Sequence, residues 1–167
     1  SKAKECGADA VKLQISDPKY SYNTDTKSYK IFKKNTLSLK DLKKVTSYAK
    51  RKKIILFATP GDFKSLEICK KLKFPAIKIS SGLLTNEPLI SRCAATKLPL
   101  ILSTGMAFES EIKKAISIIK KNKNSKYAIL KCTSLYPASS ELINLSSILT
   151  FRNKFKVPIG YSDHTLD

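Results

Sequence analysis

An α/β fold built of parallel strands, each leading into a helix, is predicted by three features of the sequence. Six short β-rich runs recur along it: "AVKLQ", "IILFATP", "AIKISSG", "PLILSTG", "YAILKCTS" and "VPIGYSD". Amphipathic helical patterns lie between most of them, as in βα units. Each run also ends in small polar or chemically active residues: Gln14, Thr59, Ser80 and Ser81, Ser103 and Thr104, Thr133 and Ser134, and Ser162 to His164. A doubly wound sheet gathers its ligand groups near one switch point. A (β/α)8 barrel collects them from the C-terminal ends of most strands around one mouth. The spread over all six runs favours the barrel.

The elements follow in order. "SKAKECGADA" reads as the last turns of a helix stopped by Gly7, which leads into "AVKLQ". Next comes "ISDPKYSYNTDTKSYKIFKKN", rich in Tyr, Asp, Ser and Asn, which reads as a long irregular and functional loop. "SLKDLKKVTSYAKRKK" has Ser38 three residues before Asp41, a capping-box-like start, with Leu39, Leu42 and Val45 recurring after it. Asp62 caps the helix in "DFKSLEICKKLKF", and Asn86 precedes Pro88 in "NEPLISRCAATK", a pairing that suits a first turn. In "ESEIKKAISIIKKNKN", Ile112, Ala115, Ile116 and Ile119 form one stripe. "NLSSILTFRNKFK" is expected to repeat it with Leu145, Ile148, Leu149 and Arg152 near one face.

Six strands are two short of a closed barrel. The chain is therefore expected to be a segment covering about strands 2 to 7. At 167 residues it is long enough to bury a real core. No apolar run is long enough to span a bilayer, and the first residues lack a secretory signal, so no membrane role and a cytoplasmic location are expected. Cysteines at 6, 69, 93 and 132 show no CxxC spacing; reduced thiols are expected.

The net charge of +19 suggests a polyanion partner when taken alone. Its distribution weakens that reading. "KIFKKN", "YAKRKK", "KKLK" and "KKNKN" fall mostly late in helical patterns, where the helix dipole favours cations and the outer face is solvated. No nucleic-acid-binding motif accompanies them. A basic nucleic-acid-binding module is the alternative of a different class.

The chemistry concentrates at the strand ends. Lys12 and Gln14 leave one face of their strand, and Lys78 and Ser80 do the same in "AIKIS". In a barrel the other face packs on helices, so these lysines look inward, where they need a counter-charge such as an anionic ligand. Thr59, Ser81, Ser103, Ser134 and Ser162 end five different strands, and with two inward lysines they suit a phosphate cradle. His164 is the only imidazole, and strand alternation sets it apart from its neighbour Asp163.

"GADAVKLQ", "ATPGD", "PAIKISSGLLTNEPLI", "PLILSTGMA", "LKCTSLYPA" and "VPIGYSDHTLD" stand in the order and spacing of the bacterial sialic acid synthases, which this chain resembles along its whole length. The resemblance implies condensation of phosphoenolpyruvate with an open-chain N-acetylated aldose, N-acetylmannosamine or a relative, giving a nonulosonic acid and phosphate. It implies a (β/α)8 barrel with a C-terminal antifreeze-like domain, a homodimer, and a divalent metal, manganese or magnesium. Residues 1–167 are then a partial barrel domain, with the N-terminal strand, the last barrel strand and the small domain outside it, and inactive alone. Carried over by motif, Lys12 and Lys78 hold phosphoenolpyruvate, with Thr59, Ser81, Ser103, Ser134 and Ser162 adding hydrogen bonds. Gln14 and Tyr136 contact the sugar, and His164 is one of two histidine metal ligands. One position departs: Leu83 follows "SG" where the family often has an acidic residue, which leaves the acceptor open to legionaminic- or pseudaminic-type sugars. Lys131 stands where many members have His, and no role attaches to it.

Overall fold

A computed structural model of the chain describes residues 2–166. They divide into two compact units, one ending at Ile77 and one starting at Lys78. The first runs α1 (Lys2–Glu5), β1 (Ala10–Ile15), α2 (Pro18–Ser21), α3 (Lys27–Asn35), α4 (Leu39–Arg51), β2 (Ile55–Pro60) and α5 (Phe63–Lys71). β3 (Ile77–Ile79) begins at its end. The second continues with a single 3-10 turn (Ser81–Leu83), α6 (Glu87–Ala95), β4 (Leu100–Ser103), α7 (Glu109–Lys121) and β5 (Tyr127–Cys132). A further 3-10 turn (Ser140–Leu142), α8 (Ser147–Phe155) and β6 (Ile159–Ser162) complete it.

In the first unit β1 and β2 pair in parallel, with Lys12 opposite Phe57 and Gln14 opposite Thr59, and Ala58 of β2 meets Ile77 of β3. Because side chains alternate, Ile15, Leu56 and Ala58 turn to the helices and bury against Leu42, Ala49 and Cys69, with Val11 and Leu13 packed beside them. Lys12, Gln14 and Thr59 are left together on the other face, as the strand pattern predicts. In the second unit β4, β5 and β6 are parallel neighbours. Leu100, Leu102 and Ile129 are buried, as are Leu89 and Ile90 of α6 and the predicted stripe of α7. Buried Asn124 staples this unit, donating to the Ala94 and Leu98 carbonyls at 3.3 and 3.0 Å and accepting from Lys126 N–H at 2.9 Å.

The cysteines are free thiols, as expected, with only Cys6 exposed. Burial pushes the Cys69 thiol up to about 12, far from the thiolate that redox chemistry needs. Among the described residues no helix is long and apolar enough to cross a membrane.

Two expectations need correction. Residues 15–35 are not one irregular loop: they carry α2 and α3. Asp17 caps α2 by accepting from Lys19 N–H at 3.2 Å, with Pro18 at its first position, and Thr26 caps α3 by accepting from Tyr29 N–H at 3.1 Å. A high density of Asp, Thr and Ser thus marks helix starts here, the second use of the same side chains. In the last helix, Leu145 precedes α8, and Leu145 and Leu149 are exposed, so the expected apolar face is not formed.

The predicted caps form. Ser38 Oγ accepts from Asp41 N–H at 3.2 Å, and Asn86 Oδ1 accepts from Leu89 N–H at 3.1 Å. Asp62 does more than cap α5. It accepts from Ser65 N–H and Ser65 Oγ, both at 2.8 Å, and from Asp17 N–H at 2.7 Å, tying the end of β1 to the end of β2. Asp62→Ala removes a cap and a charge-assisted bond at once. It is expected to lower stability by roughly 2–3 kcal/mol, read as a fall in the urea midpoint at constant slope.

Five helices end the same way. Lys53, Lys73, Lys97, Lys123 and Lys156 follow α4, α5, α6, α7 and α8, each with φ between 51° and 62°. This is the left-handed cap conformation that usually takes glycine. Ile54 and Phe74, buried just after it, donate to the carbonyls of Ala49 and Cys69 at 3.1 and 3.2 Å, closing Schellman-type ends. A lysine here adds a positive charge to the negative end of the helix dipole, which offsets part of the conformational cost.

Candidate functional site

In the second unit a polar cluster forms where β3, β4 and β5 end. Lys78, half-buried, donates from Nζ to the buried Ser103 Oγ at 2.6 Å. The chain then turns, and Gly105 N–H donates to Ser81 Oγ at 3.0 Å. Accepting that bond leaves the Ser81 hydroxyl proton to be donated elsewhere. Gly105 is also a point of close approach. A Cβ built on it lies 2.2 Å from Ser134 Oγ, 2.9 Å from Ser81 Oγ and 3.3 Å from Cys132 Sγ. Only a residue without a side chain lets these groups from three segments converge.

His164 follows β6, its Nδ1 4.0 Å from Cys132 Sγ. Its Nδ1 is 2.7 Å from the Thr133 carbonyl. A carbonyl only accepts, so Nδ1 carries the proton and Nε2 presents a lone pair. The ring stacks on Tyr136, with centroids 4.1 Å apart and planes at 28°. Ala138 N–H donates to the His164 carbonyl at 2.9 Å. Lys131, which had no role from the sequence, donates from Nζ to Thr133 Oγ1 at 3.1 Å and so braces the segment that holds the imidazole. Asp163 is committed to Thr165, accepting from its N–H and Oγ1, both at 2.9 Å, and these bonds hold its carboxyl below the usual range. It receives the His164 backbone N–H but makes no bond to the imidazole, in line with the alternation argument.

In the first unit Lys12 and Gln14 are exposed, while surrounding protein still lowers the Lys12 pKa by desolvation. Thr59 is 2% exposed, and its Oγ1 has no hydrogen-bond partner among the described residues. A buried hydroxyl left unpaired is costly unless a ligand or water completes it.

The structure thus brings Lys78, Ser81, Ser103 and Ser134 together, joins His164 to Tyr136, and sets Lys12, Gln14 and Thr59 on one face. Ser162 ends β6 in register with Cys132. Sequence reasoning gave no part to Gly105 or Cys132, and named Thr133 only for its side chain at a strand end. Gly105 was signalled by its place just after a strand, in "STGMA". The Thr133 contribution is a backbone carbonyl, which no residue type announces.

A lysine and several hydroxyls gathered at strand ends are groups able to bind an anion. A NeuB family profile matches residues 1–167, and the chain belongs to the NeuB family. It is 38% identical over 182 residues to an N,N'-diacetyllegionaminic acid synthase from Legionella pneumophila, covering 98% of this chain and 51% of that protein. It is 32% identical to the N-acetylneuraminate-9-phosphate synthase of Mus musculus, covering 97% of this chain and 49% of that protein. The chain thus spans about half the length of these curated relatives. The crystal structure of an N-acetylneuraminic acid synthetase from Leptospira borgpetersenii, in complex with citrate, superimposes with a TM-score of 0.93 at 34% identity, over 98% of this chain and 57% of that one. The predicted α/β fold class, that of the (β/α)8 barrel, is the one this likeness shows.

Proposed function

We propose that the chain forms the phosphoenolpyruvate-binding part of a nonulosonic acid synthase. The observation that carries this reading is the Lys78–Ser103 bond beside the approach of Ser81 and Ser134 to Gly105, in a chain of the NeuB family. The overall reaction joins C3 of phosphoenolpyruvate to the aldehyde carbon of an N-acetylated aldose. Water adds at C2, the C2–O bond to phosphorus breaks, and phosphate leaves. Lys78 and Lys12 neutralise the carboxylate and phosphate, and the hydroxyls of Thr59, Ser81, Ser103, Ser134 and Ser162 orient them. Gln14 and Tyr136 hold the sugar. The acceptor is N-acetylmannosamine or a diacetamido relative. Half-buried Leu83, in the 3-10 turn after Lys78, favours the less hydroxylated of these. Incubating the protein at its full natural length with phosphoenolpyruvate, manganese and each candidate sugar tests the reading. Sugar-dependent phosphate release supports it, and none with any of them rejects it.

The family implies a divalent metal, Mn2+ or Mg2+. The described residues contain no group of three His, Cys, Asp or Glu that could hold one, but His164 fits as a single ligand, since its Thr133 bond presents Nε2 as a lone pair. When bound, the metal supplies Lewis-acid polarisation of the acceptor aldehyde. His164→Ala in the full-length protein is expected to weaken Mn2+ binding at least about tenfold by calorimetric titration. Unchanged Mn2+ affinity would remove His164 from the metal site.

A further inference from the structure

We propose that Asp62 is a positioning residue, which holds Gln14 in line with Thr59 so that the two substrates meet in reacting alignment. The inference rests on the synthase reading and gives a part to a residue which that reading leaves out. Gln14 of β1 stands opposite Thr59 of β2 in the parallel register. The next pair, Ile15 and Pro60, is the last, and proline has no N–H with which to continue a ladder. Just past that pair the two chains stay together by other bonds. Gly61 N–H donates to the Ile15 carbonyl at 2.8 Å, and Asp17 N–H donates to Asp62 Oδ2 at 2.7 Å. A Cβ built on Gly61 lies 2.8 Å from Ser16 Cβ, so this close approach needs glycine.

The Asp62 carboxylate is gripped on both oxygens by its own helix. Ser65 N–H donates to Oδ1 and Ser65 Oγ to Oδ2, both at 2.8 Å, and Ser65 is buried. A charge-assisted bond to so restrained an acceptor fixes the backbone at Asp17. Lys64 Nζ donates to Asp17 Oδ2 at 2.8 Å, but the lysine side chain is 62% exposed, and an exposed pair of this kind adds little. The tie lies three residues past Thr59 on one chain segment and three past Gln14 on the other. Thr59 Oγ1, buried and without a partner among the described residues, is left for phosphoenolpyruvate, and the exposed Gln14 amide for the sugar. Their separation sets how the substrates meet, and a misplacement of about 1 Å can cost on the order of a hundredfold in rate. Loss of the tie should therefore slow the reaction more than it weakens either substrate.

Steady-state kinetics and urea melts on variants of the protein at full natural length test this. Asp62→Ser keeps a good cap for α5, but its one oxygen is taken by that cap and none is left for Asp17 N–H. Asp17→Pro deletes the N–H itself, at a residue already extended with φ −90°, near the value that proline imposes. Asp17→Ala keeps the N–H and loses only the side chain that caps α2 and meets Lys64. Asp62→Ser and Asp17→Pro should each lower kcat about 10- to 100-fold, with the KM for either substrate within about threefold of native. Asp17→Ala should stay within about threefold of native in kcat. Combining Asp62→Ser with Asp17→Pro should lose no more than the worse single change, because both remove one bond. Asp62→Ala, which loses the cap as well, should fall further than Asp62→Ser in urea midpoint yet no further in kcat. Native kcat in Asp62→Ser, equal losses in Asp17→Ala and Asp17→Pro, additive losses in the double variant, or a kcat that follows the urea midpoint would each overturn the positioning role. An unaltered protein that releases no phosphate with any sugar rejects the synthase reading, and the positioning role with it.

Discussion

Lys78→Ala, in the protein at full natural length, is expected to raise the KM for phosphoenolpyruvate roughly 10- to 150-fold. This is the span that follows from losing one charge-assisted contact of about 1.5–3 kcal/mol. The geometry makes Lys78 the stronger of the two lysines to test. It is half-buried and already aimed by a 2.6 Å bond to Ser103, so little ordering is left for the ligand to impose. Lys12 is exposed and lacks such a guide, so Lys12→Ala should have the smaller effect. Steady-state kinetics at saturating sugar give the answer. A Lys78→Ala enzyme with native KM and kcat would show that this ammonium does not hold the substrate.

Gly105→Ala should be nearly as damaging for a different reason. The new methyl would lie 2.2 Å from Ser134 Oγ and 2.9 Å from Ser81 Oγ, so both hydroxyls or the turn must shift. Overpacking of this kind costs about 1–3 kcal/mol, and here the displaced atoms are those proposed to hold phosphate. The expected result is a phosphoenolpyruvate KM raised about tenfold or more, with the sugar KM little changed. Adding Ser134→Gly removes the tightest clash. The double variant should recover part of the lost affinity, which a general folding defect would not do. Native affinity in Gly105→Ala, or no recovery in the double variant, would show that the convergence on Gly105 does not shape the site.

How much of this was legible depended on where the information resided. Strands and most helices were readable because alternation and 3.6-residue periodicity are side-chain patterns. Ser38, Asp62 and Asn86 announced their helices because a cap is a side-chain bond to nearby backbone. Lys12, Gln14 and Lys78 were singled out by the same logic of faces, and the hydroxyls by their place at strand ends. The α2–α3 excursion was missed because Asp17 and Thr26 also suit loops, and local composition does not say which use they take. The setting of His164 was hidden because it rests on the Thr133 carbonyl, and every residue has a carbonyl. Gly105 matters through the side chain it lacks.

The five left-handed lysines change what the net charge means for substrate capture. In each unit they stand just before strands, whereas the proposed anion-binding groups stand just after them. A six-residue strand such as β5 spans roughly 20 Å, about two and a half Debye lengths at physiological ionic strength. The fields of Lys53 and Lys123, which precede six-residue strands, are therefore largely damped at the far strand ends, and those before the shorter β3, β4 and β6 less so. An approaching phosphoenolpyruvate in a physiological buffer responds to the few cations beside it, not to a global charge of +19. Five of its positive charges are the helices' own punctuation, set at the strand starts rather than beside the proposed anion-binding groups.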